Sequence, residues 1–310
     1  MLIFKSFENI PKEERGYSVA IGNFDGMHLG HQSVIEIAKK TSGKSLVGVI
    51  TFEPHPRQFF QNSQPTFRLM KPETRERFLR SLGIDALFEL PFNLSLASLN
   101  PKDFVETVLL GKLNVRNVVV GQDFRFGKNR EGSVDLLRSY QDNKKIGLTV
   151  ADPFIIQDKV VSSSVLRQKL SEGSVVDVTK MLNRYYEIEG VVEKGFQRGR
   201  NLGFPTINVG LRNTIVPRHG VYAVLVNILS ENKEKTLKGA ASIGSRPTYG
   251  NHEPNIEVFI FDFDETLYGR NVSISLVQFI RPELKFSTEK DLISQMKIDC
   301  EMIEELLRNE

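Results

Sequence analysis

The chain has 310 residues, 40% of them hydrophobic and 25% charged, the make-up of a globular protein of one large domain or two ordinary ones. Its 41 Lys+Arg against 38 Asp+Glu leave a net charge of +3, too small an excess to argue for nucleic acid or a membrane surface as a partner. A single cysteine, Cys300, excludes an internal disulfide, no stretch reaches the length of a membrane span, and the apolar start at 1–5 is too short for a secretory core, so a cytoplasmic protein is expected.

Residues 19–21 read as a buried parallel strand. Glycines at 22, 26 and 30 then let the backbone turn sharply, and 29–40 reads as a helix with Val34, Ile35 and Ala38 on one face. A strand, a Gly-rich turn and a helix N-terminus present free backbone N–H groups to an anion. His28 and His31 stand at that point and can donate hydrogen bonds to phosphate oxygens. The β-branched run 45–52 is a second strand, ending in T-F-E-P-H-P at 51–56, where the prolines stop it. Glu53 and His55 therefore sit at the strand's C-terminal end, either facing a ligand, as that edge of an open α/β sheet does, or in a solvated turn.

Residues 72–82 read as a helix with Pro at its first position and a stop at Gly83. Strand 86–90 comes next, and Asn100-Pro101 then opens a helix with Phe104, Val105, Val108 and Leu109 as its apolar stripe. Strand 117–120 runs into a Gly-bounded loop at 121–132 that carries Asp123, Arg125, Lys128 and Arg130. Strand 148–155 precedes V-S-S-S-V-L-R at 161–167, whose serines are N-cap candidates and whose Arg167 lies close to the helix start. Strands alternating with helices at this spacing imply a parallel sheet.

The alternation stops near Asn183. Segments 186–192, 221–228, 240–243, 256–262 and 272–279 are rich in β-branched and aromatic residues and suggest a small barrel. A terminal helix comes after them, with Thr288 and Asp291 as a capping box and Leu292, Met296, Cys300, Ile303 and Leu307 at helical spacing. Before it, G-F-Q-R-G-R-N-L-G-F-P-T-I-N at 195–208 combines Gly195, Gly199 and Gly203 with Arg198 and Arg200, a combination that suits phosphates as well as a basic hairpin turn. Thr206 and Asn208 each offer an oxygen that magnesium accepts. Asp262-Phe-Asp264-Glu-Thr266 matches the nucleophile loop of haloacid-dehalogenase-type phosphatases, but too few residues remain after it to build the α/β domain that chemistry needs, which leaves a strand ending in a charged turn.

The H-x-G-H spacing after the first strand resembles the nucleotidyltransferase superfamily, and the full string G-N-F-D-G-M-H-L-G-H at 22–31 resembles the bacterial FAD synthetases. L-G-F-P-T-x-N at 202–208, with P-R-H-G-V-Y-A at 217–223, I-G-S-R-P-T-Y-G at 243–250 and E-V-F-I-F-D-F-D at 257–264, resembles riboflavin kinase. Together they cover nearly the whole chain and are similar to the bacterial bifunctional riboflavin kinase/FAD synthetases. The resemblance implies an α/β plus all-β protein. Its first domain, 1–183, would be a Rossmann-like parallel sheet. Its second, 184–310, would be a six-stranded β-barrel with a terminal helix. It implies ATP, riboflavin and FMN as substrates, Mg²⁺ as cofactor, and neither nucleic acid nor membrane as partner. In the first domain it assigns the chemistry to His28 and His31, and ATP contacts to Gly22, Asn23, Phe24, Asp25, Gly26, Asp123, Ser163, Ser164 and Arg167, with Ser164 standing where the family usually has Thr. In the second it makes Glu257 the general base, gives ATP contacts to Gly195, Gly199, Arg200, Gly203, Thr206 and Asn208, and gives magnesium to Thr206 and Asn208. Phe259 replaces a common His, and Phe196 a common polar residue. A cytidylyltransferase-like enzyme with a flavin-binding second half, and a non-catalytic flavin-binding protein, are the alternatives.

Overall fold

A computed structural model describes residues 1–8, 10–61, 67–143, 145–195, 198–229, 236–245 and 254–310. The chain packs as two compact units, Met1–Gln64 with Pro72–Ser162, and Pro65–Lys71 with Ser163–Glu310.

The first unit holds β1 (Leu2–Phe4), β2 (Ser18–Ile21), α1 (Leu29–Thr41), β3 (Val47–Glu53), α2 (Pro56–Phe60), α3 (Pro72–Ser81) and β4 (Ala86–Pro91). It continues with α4 (Leu94–Ala97), α5 (Pro101–Asp103), β5 (Asn117–Gly121), α6 (Val134–Asp142), β6 (Gly147–Ala151) and the hairpin β7 (Ile155–Ile156) and β8 (Lys159–Val160). α5 runs on through Phe104–Lys112 as a wider helix, in which the Leu113 N–H reaches back five residues to the Val108 carbonyl. The six strands order as β1-β4-β3-β2-β5-β6, and each neighbouring pair is parallel. The direction of winding reverses at β2, which lies between β3 and β5, so the turn after β2 opens at the carboxyl edge of the switch point. Along the central strands the side chains alternate. Val19, Ile21, Val118 and Val120 join the core that contains Val105 and Leu109 of the wide helix, and the intervening Ala20 and Val119 face the other way. α1 packs on β2 and β5 and buries Ile35 and Ala38. The strand expected at 148–155 is interrupted: β6 stops at Ala151, and Pro153, which has no N–H to give a ladder, separates it from β7.

The second unit opens with α7 (Ser163–Glu172) and α8 (Val175–Leu182), which ends at Asn183 in the left-handed conformation (φ 55°, ψ 30°). These two helices fall in the barrel's unit, and α8 packs on a barrel strand, because its face of Val175, Val178, Met181 and Leu182 needs an apolar partner. The barrel strands are β9 (Tyr186–Glu193), β10 (Thr206–Gly210), β11 (Gly220–Ile228), β12 (Leu237–Ser245), β13 (Pro254–Ile260) and β14 (Asn271–Arg281), with the short α9 (Arg198–Asn201) before β10 and α10 (Glu289–Leu306) at the end. They close in the order β10-β13-β12-β11-β14-β9, as expected of a six-stranded barrel. Segment 67–71 lies on this unit: the Ile215 N–H donates to the Arg68 carbonyl at 2.7 Å, and Lys71 Nζ to the Glu189 carbonyl at 2.7 Å.

α10 is capped by Thr288, whose Oγ1 accepts from the Asp291 N–H at 3.1 Å. It lays Ile303 and Leu307 over Ala223, Leu225 and Val277. Arg281 holds the buried Asp299 carboxylate with a fork of bonds, 3.0 Å from Nε and 2.6 Å from Nη2. Cys300, on the same helix, has its thiol pushed up to about 11, first by burial and then by neighbouring carboxylates. It is therefore a thiol rather than a thiolate at pH 8. Titration with a disulfide reagent at that pH should be slow on the native protein and fast once denaturant unfolds it; equal rates would contradict the packing.

Candidate active sites

After β2 the chain turns through Gly22 to His28 with Phe24, Gly26 and Met27 at φ 51°, 87° and 46°. Two of these are side-chain-bearing residues in the left-handed region, which the surroundings must enforce. Thr51 Oγ1 donates to the Asn23 carbonyl at 3.2 Å, and Gln32 Nε2 to the Met27 carbonyl at 2.8 Å. His28 is the N-cap of α1: its Nδ1 accepts from the His31 N–H at 3.3 Å. An accepting nitrogen carries a lone pair, so the ring hydrogen sits on Nε2, and the cap leaves His28 a donor. The two imidazoles stack with centroids 3.6 Å apart and planes 19° from parallel, and the Phe24 ring lies 5.2 Å from that of His31. Gly30 is glycine for a local reason. A Cβ there would lie 3.1 Å from His28 Nδ1 and 3.4 Å from the Val161 carbonyl oxygen. Asp25 and His28 are buried, at 4% and 6% exposure.

The turn thus gathers Gly22, Asn23, Phe24, Asp25, Gly26, His28 and His31. Asp123 stands just beyond β5, the strand beside β2, and is exposed; a Cβ at Gly121 would lie 3.2 Å from its Oδ1. The loop beyond is closed by Phe126 and Gly132, whose N–H groups donate to each other's carbonyls at 3.2 and 2.9 Å. Ser163, Ser164 and Arg167 belong to the other unit, where the serines form the first turn of α7 instead of preceding it. Arg167 Nε donates to the Phe67 carbonyl at 2.7 Å, with its guanidinium 5.1 Å from the Phe67 ring centre. At the end of β3, Glu53 pairs with Arg75 at 3.3 Å, and His55 caps α2 by accepting from the Arg57 N–H at 3.0 Å. The same sheet edge carries an aromatic group that sequence reasoning did not single out. Phe92 meets Phe52, Phe59 and Phe60 edge-on at 6.0, 5.4 and 5.8 Å, and Phe60 is 68% exposed.

In the barrel, antiparallel register sets Asn208 opposite Glu257 and Thr206 opposite Phe259, so all four share one face. The Asn255 Nδ2 donates to both Asn208 Oδ1 and Glu257 Oε1 at 3.3 Å, tying the amide to the carboxylate. Gly195 makes room for Asn208, since a Cβ there would strike the Asn208 amide nitrogen. The Gly199 carbonyl accepts the Phe204 N–H at 2.7 Å, and a Cβ on Gly199 would strike the Phe204 carbonyl. Arg200 and Thr206 line a pocket of about 290 Å³ together with Asp264, Thr266 and Tyr268. The charged turn after β13 therefore belongs to this pocket, and beyond it the chain forms β14 and α10 rather than a phosphatase domain. Its signal in the sequence was the D-F-D-E-T string itself, read as a strand ending in a charged turn, though not as part of a pocket. Phe259 packs edge-on against Phe204 and Phe261 at 5.3 and 5.7 Å. Phe196 lies outside the described residues, as do residues 246–250 of the third string. Among the described residues no group of three or more His, Cys, Asp or Glu side chains could hold a metal, and no helix is long and apolar enough to cross a membrane.

Residues 10–165 match the FAD synthetase family and 182–307 the riboflavin kinase family. The bifunctional riboflavin kinase/FMN adenylyltransferase of Bacillus subtilis is 39% identical over 296 residues, 93% of this chain and 92% of the relative. That of Listeria monocytogenes is 35% identical over 286 residues, 91% of this chain and 89% of the relative. The chain belongs to the bifunctional riboflavin kinase/FMN adenylyltransferase family. A crystal structure described as a macrolide-efflux protein from Streptococcus pneumoniae shares the fold over 100% of this chain and 99% of its own, with a TM-score of 0.85 and 30% identity. The riboflavin kinase match sets aside the reading of the second half as a non-catalytic flavin-binding module.

The two glycines make separable predictions. Gly30→Ala crowds the His28 ring and should lower FMN adenylylation by roughly threefold to tenfold, less than the hundredfold of a 1 Å misplacement, while riboflavin phosphorylation by the same protein holds. Gly195→Ala displaces Asn208 and should do the reverse. Measuring both rates on each variant checks the pair.

Proposed function

We propose that residues 184–310 phosphorylate the terminal ribityl hydroxyl of riboflavin with ATP to give FMN, and that residues 1–183 transfer AMP from a second ATP to FMN, giving FAD and pyrophosphate. The observation that carries the reading is the Asn208–Glu257 pair beside Thr206 in one unit and the His28–His31 stack at a helix start in the other.

In the kinase site, ATP occupies the pocket beside Arg200 and Thr206, and Gly195, Gly199 and Gly203 belong to the segment that leads into Thr206. Glu257, held by the Asn255 amide, takes the proton from the attacking hydroxyl. Thr206 and Asn208 fit a magnesium ion carried in on ATP. They supply a hydroxyl and an amide oxygen on one strand face, the few neutral donors an ion largely held by phosphate oxygens requires. When bound, such an ion offsets charge on the transferring phosphoryl group.

In the adenylyl site the nucleophile is the FMN phosphate, which is already anionic, so the protein's task is to stabilise charge on the α-phosphate and the departing pyrophosphate. The His28 Nε2–H, His31 and the N-terminus of α1 do this, in a turn whose glycines let phosphate approach. Asp123 borders the site from the end of β5. The exposed face of Phe60, backed by Phe59 and Phe92, suits the flat apolar ring of the flavin. Both steps draw on ATP, which supports a cytoplasmic place of action and small molecules as partners.

Two variants test the assignments. His31→Ala should lower FAD formation from supplied FMN by roughly 10²–10³ in kcat and spare FMN formation. Glu257→Gln should lower FMN formation from riboflavin by about 10²–10⁴ and spare the second step. Turnover within twofold of wild type in the affected step would remove that residue from its role.

A further inference from the structure

Arg75, on α3, is a buried charge of the first unit for which the proposed chemistry has no use. It is 4% exposed. Its Nη2 donates to Glu89 Oε2 on β4 at 2.8 Å and to Glu53 Oε2 at the end of β3 at 3.3 Å. Its Nη1 donates to the Asn23 carbonyl at 3.3 Å. Its Nε is buried without a hydrogen-bond partner among the described residues. A guanidinium with an orphaned N–H is a poor way to gain stability, because an apolar side chain of similar volume packs there without desolvating a charge. What an apolar side chain cannot do is hold a backbone carbonyl.

That carbonyl is the one that matters for the turn. Asn23 O is gripped from two sides, by Arg75 from α3 and by Thr51 from β3. The next residue, Phe24, stands at φ 51°, and Met27, immediately before His28, at φ 46°. The far end of the turn is held by Gln32 on the Met27 carbonyl. The two carboxylates fix the plane of the guanidinium and so the direction of its third bond.

We infer that Arg75 is a positioning residue for FMN adenylylation: it clamps the Asn23 carbonyl, and through it holds the left-handed turn that sets the His28–His31 stack. The inference rests on the assignment of residues 22–31 to the adenylyl site.

The test uses the full chain. Arg75→Met keeps the volume and removes the clamp, whereas Arg75→Lys keeps the charge but not the fork. The adenylylation kcat should fall on the order of a hundredfold in the first and tenfold in the second, as expected for catalytic groups misplaced by about 1 Å, with KM for FMN unchanged. Riboflavin phosphorylation by the same preparations should stay at the wild-type rate. Thr51→Val removes the other grip on the same oxygen, so combining it with Arg75→Lys should cost more than the product of the two separate losses. If Arg75→Met does not fold, the Lys variant and the cycle with Thr51→Val still decide. A wild-type kcat, a loss shared by both activities, or independent effects in the cycle would overturn the inference. His31→Ala separates the two levels. Unaffected adenylylation there would remove the site itself, whereas an inactive His31→Ala beside active Arg75 variants would remove only the clamp.

Discussion

The His28 ring lies within 3.1 Å of where a Cβ at position 30 would sit, closer than side chains ordinarily pack. The geometry of the first unit's turn depends on the glycine that leaves this space open. With the space open, the imidazole folds back over the helix start, accepts the His31 N–H and stacks on the His31 ring. An N-cap is usually a short oxygen-bearing side chain, and its role ends with the cap. Here the capping group is a ring with a second nitrogen, so one side chain both satisfies an orphan amide and keeps a donor for a ligand. The sheet supplies the place for it. β2 is the strand from which the chain winds first one way and then the other, and the crevice beyond it has neighbours on both sides.

The barrel reaches its site by a comparable exclusion. Gly195 vacates the volume that the Asn208 amide fills, and Gly199 lets the chain close on the Phe204 carbonyl. Register does the rest. A slip of one residue between β10 and β13 would turn Glu257 away from Asn208 and bring apolar Ile256 or Val258 opposite it. Closure of the barrel resists that slip, because each strand is paired on both sides and Glu257 is also fixed against Ser242 of β12. The Asn208–Glu257 pairing is therefore protected by the whole hydrogen-bonded ring, not by its own weak contacts.

The same dependence on register and on distant contacts decides which parts were legible in the sequence. The β2–α1 turn was readable because its glycines, histidines and flanking strand are contiguous, and the barrel strands because β-branched residues cluster between turn signals. Thr206, Asn208 and Glu257 were readable as members of strings, but their juxtaposition depends on register, which no local pattern states. Arg75, Thr51 and Asn255 were invisible for a related reason: each acts on an atom distant in sequence or across a strand. Arg75 sits on a short helix whose own pattern shows only a charged residue. The grouping of α7 and α8 with the barrel was equally hidden, since an amphipathic helix declares that it has an apolar face and not which core will cover it. The break after β6 was readable in principle from Pro153.

Phe259 shows how a departure from a family pattern can be absorbed. Its ring stands between Phe204, in the loop that leads into β10, and Phe261, which joins the cluster beneath α10. Edge-on aromatic pairs of this kind hold their partners by area and by ring geometry. The position opposite Thr206 thus serves as a brace between the L-G-F-P-T segment and the terminal helix. A polar ring there would give up that packing in exchange for a hydrogen bond. Asn255 already donates to Glu257 from two residues away, a bond that does not involve position 259. Glu257 and the Phe259 brace occupy alternate places on one strand face, so an aromatic at 259 leaves the Asn255–Glu257 bond in place.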